Sequence, residues 1–550
     1  MRTLPKKELS LFDSTCLIVG IIIGVGIYQM APDIAKGAGS WWGVFLIWMV
    51  GGLLSLFGAL GYAELASAYP AEGGDYVYLT KAYGKWAGFL FGWIQLVIVR
   101  PGDIAVIAFA FALYAEKLFA PFARSPVNLR IYAVLSIVFL TAINILGVKE
   151  GKWTQNLLTT VKALGLLAIL GVALASFTAN YAPVAINSSA AFADNDAAVV
   201  ILTANDPDAG DRIKQYRIET LPAHGILKLN GTAVSAGATI TQARINNGDL
   251  TYEPDSKWID ATEFTFKAYD GQTWSPNKGI FTINVYSGLS DPPTPEPFPW
   301  SLALILVLFT FGGWNEMAYV AAEVKNPQRN IVRALVLGTV AVTVLYLLAN
   351  GAFLRTLGYQ GMAHSLGVAD DTVSTAFPTI GGKIISALIC ISALGAVNGL
   401  IFTGARISYA VGADHRAFRP LGLWNSQTGT PVRALMLQGA IALTLVLALG
   451  SFINTIIYTA AAVYSFYLAT NLAVIVLRRK EPHIQRPYKV TGYPFTTLIF
   501  CSSCALLIYS AVTYKPLIAV IACLIFLAGL PLYWLTTKKP SRLENTTQNS

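Results

Sequence analysis

Charge is scarce in this chain. Asp, Glu, Lys and Arg make up 13% of its 550 residues and hydrophobic residues 55%, whereas a soluble domain carries about 25% charged residues. Together with a mean hydropathy of +0.55, this excludes an ordinary soluble globule. Histidine is nearly absent. His224, His364, His415 and His483 are the only four, and they fall in predicted loops or in the polar segment described below. No metal-spaced cluster, phosphate loop or nucleophile–base arrangement accompanies them, so the sequence argues against an enzyme, has no catalytic residue to offer and implies no cofactor. Cysteine is equally thin. Cys16, Cys390, Cys501, Cys504 and Cys523 all lie in apolar runs. The C-x-x-C spacing of Cys501 and Cys504 reads there as small packing residues rather than as redox or metal chemistry. The polar middle segment has no cysteine, so no disulfide supports it. A cleavable leader is not evident, because the polar, basic "MRTLPKKELSLFDS" precedes a run long enough to remain as a span.

What the chain does have is long apolar runs of membrane-spanning length. Twelve spans are expected, at 14–35, 41–68, 86–115, 130–147, 153–177, 300–321, 331–354, 375–411, 431–449, 452–477, 495–513 and 516–536. The net charge of +9 follows the connections between them and is not a nucleic-acid signal. With the N-terminus inside, the short outer loops hold only Lys36, Lys117, Arg124, Arg130, Arg355, Lys383 and Lys515. The inner segments carry the larger set, from Arg2, Lys6 and Lys7 through Arg406, Arg416 and Arg419 to Arg478, Arg479, Lys480, Lys538 and Lys539. This bias places both termini in the cytoplasm and the chain in the plasma (inner) membrane.

Residues 180–297 break the pattern. Short alternating runs such as "ILKLNG", "DLTYEP", "TEFTFKAYDG" and "GIFTINVY" are separated by turn signals such as "NG", "DG" and "PDAGD", the pattern of a β-sandwich of seven or so strands. The segment resembles the cadherin-like or proteoglycan-type repeats of surface proteins through "ANDPDAGD", "LPAHGILKLNGTAVSAGATITQARINNGDLTYEPD" and "EFTFKAYDGQ". The proline-rich 291–299 reads as a semi-rigid spacer back to the membrane. Topology puts the insert outside, extracellular or periplasmic. Asp206, Asp208 and Asp211 form one acidic loop and Asp270 belongs to a second. Calcium takes such oxygen clusters, and solvated turn aspartates give the same pattern.

Two spans carry a weak point. "GIIIGVGIY", 20–28, has three glycines in the first span, and "FGGWNEM", 311–317, has a glycine pair in the sixth. Each glycine costs a helix about 1 kcal/mol against alanine, and backbone freed in lipid finds no water. Small-residue packing would explain either site alone. Glycine-interrupted spans at matched positions, an odd five spans apart, point instead to inverted repeats with a binding site at the breaks. A half-helix N-terminus favours a carboxylate and a C-terminal end favours an ammonium, and an α-amino acid carries both. Lys162, deep in the fifth span, is costly in lipid and functional by default, unless it snorkels to the inner interface. Arg100 and Asp103 are two further intramembrane charges that could pair or face a water-filled path, and they read as structural or gating residues rather than as direct substrate contacts. Glu64 and Glu323 read as cytoplasmic-gate and topology elements.

At these residues the chain resembles the amino acid–polyamine–organocation transporters, and within them the L-type amino acid transporter branch. The similarity rests on Gly24-Val25-Gly26-Ile27-Tyr28, "YAELASAYPAEGGDYVYL", "WIQLVIVRPGDIA", "FGGWNEMAYVAAEVKNPQRNIVRA" and "SALGAVNGLIFTGARISYA", and it covers everything outside the insert. It implies an all-α polytopic protein of the leucine-transporter type. Residues 1–179 would form the first five-span repeat and 298–480 the second, with two added helices and a cytoplasmic tail in 481–550. The resemblance also implies secondary transport of amino acids by alternating access, by antiport or proton symport.

By the same resemblance, backbone at Ile23, Gly24, Val25, Gly26 and Ile27 and at Phe309, Phe311, Gly312 and Gly313 would hold the substrate. Phe309 would be an outer aromatic gate, Trp314 and Asn315 would follow the second break as a conserved pair, and Asn315 would contact substrate or bridge helices. Lys162 would occupy the cation site of sodium-coupled relatives, near Ser392. Val25 and Tyr28 depart from the family's usual small residue and phenylalanine, which bears on the size of the pocket. The loop between spans three and four, where the animal branch has a partner-linking cysteine, has none here, so no disulfide-linked heavy chain is expected. The second reading is a cell-surface adhesion protein whose spans merely anchor the sandwich. In either reading the insert could recognise a surface partner.

Overall fold

A computed structural model describes residues 7–71, 73–119, 126–175, 182–193, 198–206, 212–256, 258–286, 299–365, 367–376, 381–448, 452–514 and 516–536. In chain order the first part holds α1 (Leu11–Ile22), α2 (Gly26–Gln29), α3 (Ala31–Ala38), α4 (Trp41–Ala68), α5 (Asp75–Tyr83), α6 (Lys85–Ile94), α7 (Arg100–Leu118), α8 (Pro126–Leu146) and α9 (Val148–Ala175). Eleven strands and the short α10 (Gln242–Asn246) follow. Then come α11 (Trp300–Thr310), α12 (Pro327–His364), α13 (Val368–Ala376), α14 (Gly381–Asp414), α15 (Val432–Ala448), α16 (Phe452–Lys480), α17 (Phe495–Tyr514) and α18 (Pro516–Thr536).

Each expected span coincides with one or more of these helices. Among the described residues seven helical segments are long and apolar enough to cross a membrane. Large apolar side chains stand exposed on them and on other helices, among them Trp42, Phe139, Leu164 of α9 and Trp534 of α18.

Local chemistry sets the boundaries. Ser10 and Asp13 form a capping box at the start of α1, and Asp13 also accepts from Asn156 of α9 at 2.7 Å, which ties the two helices together. Pro101 has no N–H to give to the preceding turn. The ladder widens there into a π turn, Gln95–Val99, closed by Arg100 N–H to the Gln95 carbonyl. Three boundaries differ from expectation. The seventh span runs on as α12 past a kink at Gly358. The start of the eighth span, from 375, falls partly on the separate α13, and α14 begins only at Gly381. The loop between spans two and three contains α5.

The insert carries more, shorter strands than the seven expected. They are β1 (Val184–Ile186), β2 (Ser188–Ala193), β3 (Ala198–Val199), β4 (Thr203–Asn205), β5 (Gln215–Ile218), β6 (Ile226–Leu229), β7 (Thr232–Ala233), β8 (Thr239–Thr241), β9 (Leu250–Glu253), β10 (Ala261–Tyr269) and β11 (Gly279–Tyr286). One sheet has the order β2-β11-β10-β5-β8 and the other β3-β9-β6-β7. Alternation along β10 turns Phe264, Phe266 and Ala268 inward, where they meet Tyr216, Tyr252 and Phe281 in one apolar core.

The remaining pair, β1 and β4, lies against the C-terminal end of α12. Asn187 Nδ2 donates to the His364 carbonyl at 2.7 Å and Asn205 Nδ2 to the Leu357 carbonyl at 3.3 Å. Val184 packs into the membrane core cluster beside Gly361. Beyond the kink, the Tyr359 hydroxyl donates to the Ala35 carbonyl of α3 at 3.1 Å.

Candidate functional site

The first helix stops at Ile22, and the chain bends through Ile23–Val25 before α2 begins at Gly26. The sixth span stops at Thr310, turns through Phe311–Gly313 and continues as a 3-10 helix, Trp314–Glu323. The two breaks pack on each other, and glycine is needed where they touch. Gly313 has φ +110, and a Cβ there would stand 2.5 Å from the Ile21 side chain. A Cβ on Gly26 would meet Thr310 at 2.8 Å. The Tyr346 hydroxyl of α12 joins the two, donating to the Ile22 carbonyl at 2.7 Å with the Thr310 carbonyl 3.3 Å away.

Among the described residues the amides of Val25, Gly26 and Ile27, and those of Gly313, Trp314 and Asn315, have no main-chain partner. The carbonyls of Ile21 and Leu308 likewise have none. Both breaks therefore present donors from a new helix start beside acceptors from a helix end.

Behind the first break lies Lys162. Its ammonium donates to the Gly20 carbonyl at 2.6 Å, the Ile23 carbonyl at 2.8 Å and the Ser392 carbonyl at 2.9 Å, using all three protons. The Ser392 hydroxyl lies 2.9 Å from the Ile23 carbonyl and 3.1 Å from that of Gly24. Lys162 is fully buried, so it does not snorkel. Gly395 makes room for it, since a Cβ there would stand 2.8 Å from Nζ.

A cavity of about 110 Å³ lies between the breaks. Gly24, Val25, Gly26, Phe309, Gly312, Gly313 and Asn315 line it. The other expected contacts do not. Ile23 and Ile27 face the packed interior. Phe311 lies against Trp48 and Tyr346. Trp314 lies among Tyr62, Tyr467 and Phe500. At a turn alternate residues point opposite ways, so a contiguous stretch does not share one wall. Lys162 and Ser392 support the first break from the far side.

The remaining walls come from residues that periodicity does not mark. Asp75, at the start of α5, accepts from the hydroxyls of Tyr62, Tyr319 (2.6 Å) and Thr470. Asn315 donates to the Tyr319 hydroxyl at 2.8 Å and accepts from Tyr467 at 3.0 Å. Arg100 pairs with Glu316 at 2.7 Å rather than with Asp103, and its Nε donates to Gln95 at 3.0 Å across the π turn. The Thr403 hydroxyl completes the Glu316 carboxylate at 2.6 Å. Ionisable residues inside apolar spans were the available signal for Glu316. Asp75 sits in a polar loop and gave none.

Past the cavity, ion pairs join the helices. Arg406, expected among the inner loops, is buried inside α14 and pairs with Glu323 at 2.7 Å. The N-terminal segment docks beside it, with Glu8 and Leu9 N–H both 2.9 Å from the Glu323 carbonyl. Glu64 accepts from Arg478 at 2.8 and 2.5 Å.

In the insert, Asp208 and Asp211 lie outside the described residues. Asp270 does not keep its oxygens free for a cation. It accepts the N–H groups of Gln272 and Thr273 at 2.5 and 2.6 Å and the Thr273 hydroxyl at 3.0 Å, which closes its own turn. Among the described residues no group of three or more His, Cys, Asp or Glu could hold a metal.

Residues 196–285 match a family model described as cadherin-like. Over nearly its whole length the chain is similar to transporters. It is 25% identical to the b(0,+)-type amino acid transporter 1 of Mus musculus, over 96% of this chain and 88% of the relative. It is 26% identical to the large neutral amino acids transporter small subunit 2 of Oryctolagus cuniculus, over 96% and 80%. It is 25% identical to the serine/threonine exchanger SteT of Bacillus subtilis (strain 168), over 96% of both chains. Residues 9–200 and 264–528 match the family model described as amino acid permease, and the chain belongs to that family of multi-pass membrane amino acid transporters, interrupted by a β-domain.

Proposed function

We propose that the protein is a secondary amino acid transporter that works by alternating access, with its substrate held between the two helix breaks. The single observation that carries this reading is the pairing of unpartnered amides with unpartnered carbonyls on both sides of one cavity. The amides of Val25 and Gly26 would hold the carboxylate, and the carbonyls of Ile21 and Leu308 would take the ammonium. Phe309 stands at the cavity as an outer gate, and Asn315 bridges the second break to α16. The pairs Glu323–Arg406 and Glu64–Arg478 close the cytoplasmic side. Both termini are cytoplasmic and the insert is outside. The partners are the amino acid and the lipid bilayer, with no disulfide-linked heavy chain and no nucleic acid. An anchor for a surface domain would need one span and no polar cavity, so the adhesion reading finds no comparable support.

Lys162 is the coupling residue in this reading. Its ammonium spends three hydrogen bonds holding the first break against α9 and α14, where sodium-coupled relatives place an ion. It therefore acts as an internal cation whose charge sets the conformation of the break. The decisive experiment is a proteoliposome uptake panel over the twenty amino acids, with and without an imposed proton gradient, on wild type and Lys162→Met. Uptake of at least one amino acid by wild type is expected, with gradient-driven accumulation lost in the variant. Wild-type accumulation by Lys162→Met would remove the coupling role, and no uptake of any amino acid would remove the transport reading.

A further inference from the structure

The cavity between the breaks is mostly apolar. Val99, Ile107, Phe309, Val463 and Phe466 are among its walls. Four ionisable side chains interrupt that surface: Asp75, Arg100, Asp103 and Glu316. Three of them have hydrogen-bonded or ion-paired partners inside the protein. Asp75 has its three hydroxyl donors. Arg100 and Glu316 pair at 2.7 Å, with Gln95 accepting from Arg100 Nε and Thr403 donating to Glu316, while Arg100 Nη1 has no hydrogen-bond partner among the described residues.

Asp103 is different. It follows Val99 and precedes Ile107 on the face of α7 that lines the cavity, since residues four apart on a helix share a face. Unlike Arg100 it is only partly buried. Among the described residues no side chain pairs with it or donates to it. A carboxylate on the wall of a low-dielectric cavity without a donor is costly. The Arg100 charge acts on it without forming an ion pair, and its oxygens, lacking a donor among the described residues, are left for something else to meet.

The substrate's own ends are spoken for at the breaks, so what reaches the α7 wall is its side chain. That side chain passes apolar groups before it arrives. An aliphatic stem with a cationic tip has this shape, as lysine does when its methylenes lie on apolar surface and its ammonium reaches a polar group. We propose that Asp103 is a specificity-determining residue that receives the cationic tip of a basic amino acid. The inference rests on the transport reading above and names its substrate class.

Lysine and norleucine separate the two questions, because they differ at the terminal ammonium. Wild-type protein in proteoliposomes is expected to take up lysine with at least about tenfold higher kcat/KM than norleucine, the scale of a charge-assisted hydrogen bond. Asp103→Asn should bring the lysine-to-norleucine ratio down about tenfold, and Asp103→Glu should keep lysine ahead. The ratio, not either rate, is the readout, so a general loss of activity does not count. A wild-type ratio at or below one overturns the assignment, as does an unchanged ratio in Asp103→Asn. If neither variant folds, the wild-type ratio alone decides. Absence of uptake of all twenty amino acids would overturn the transport reading and this one with it, whereas uptake of neutral amino acids without lysine would overturn this one only.

Discussion

The membrane part and the inserted sandwich treat charge in opposite ways. In the sandwich the core is apolar, built on Phe264, Phe266, Phe281 and Ile283, and the ion pairs Lys228–Glu253 and Lys278–Glu219 stand at the surface. In the membrane part the charges go inward. Lys162 and the Arg406–Glu323 pair are buried completely or nearly so. The difference follows from the surroundings. A sandwich in water leaves most of its charges to the solvent, Asp270 being buried within its own turn, and folds around what water rejects. A helix bundle in lipid has no solvent for a charge on its outer face, so each charge needs a partner inside.

That contrast can be tested from its strongest consequence down. Arg406→Met leaves Glu323 buried without its partner and should destabilise the detergent-purified protein by about 3–5 kcal/mol, read as a lowered midpoint of thermal unfolding. Adding Glu323→Gln should recover much of that, which a purely steric defect at 406 would not allow. Phe266→Ala opens the sandwich core and should cost that unit about 3–4 kcal/mol. Limited proteolysis should then cut within the insert while amino acid uptake persists.

The seam between the two parts is next. Asn187→Ala removes the bond to the His364 carbonyl and should loosen the insert by about 1 kcal/mol, seen as faster hydrogen exchange in β1 and at the end of α12. Smallest is Glu219. Burial alone would raise its carboxyl, but hydrogen bonds and charge from Arg217 and Lys278 hold it below the usual carboxylate range. Its contribution is therefore present at neutral pH and lost as the pH falls through its folded value. Glu219→Gln should cost under about 1 kcal/mol and less in high salt, as surface pairs do; a larger cost would put Glu219 with the buried set.

The two breaks and Lys162 were legible before any coordinates, because glycine in a lipid-length helix and a lone ammonium at its middle both violate a one-dimensional rule. The strands of the insert were legible by alternation. Asp75 was not. It lies in a loop whose composition permits solvent exposure, and it is buried only because Tyr62, Tyr319 and Thr470 arrive from three other segments. Arg406 misled for the complementary reason. It was counted with basic loop residues, and nothing in its neighbours along the chain announces Glu323 more than eighty residues away.

By itself, then, the sequence determined where the backbone would fail as a helix, which segment would fold as strands rather than as spans, and that an intramembrane lysine needed a partner. These follow from local chemistry, from what each residue costs in a helix, a strand or lipid. The tertiary structure decided which side of each break faces the cavity, which carbonyls hold Lys162, and that Arg100 pairs with Glu316 and leaves Asp103 over. These depend on groups far apart in the chain meeting at hydrogen-bond distance, and that distance is set by how the helices pack.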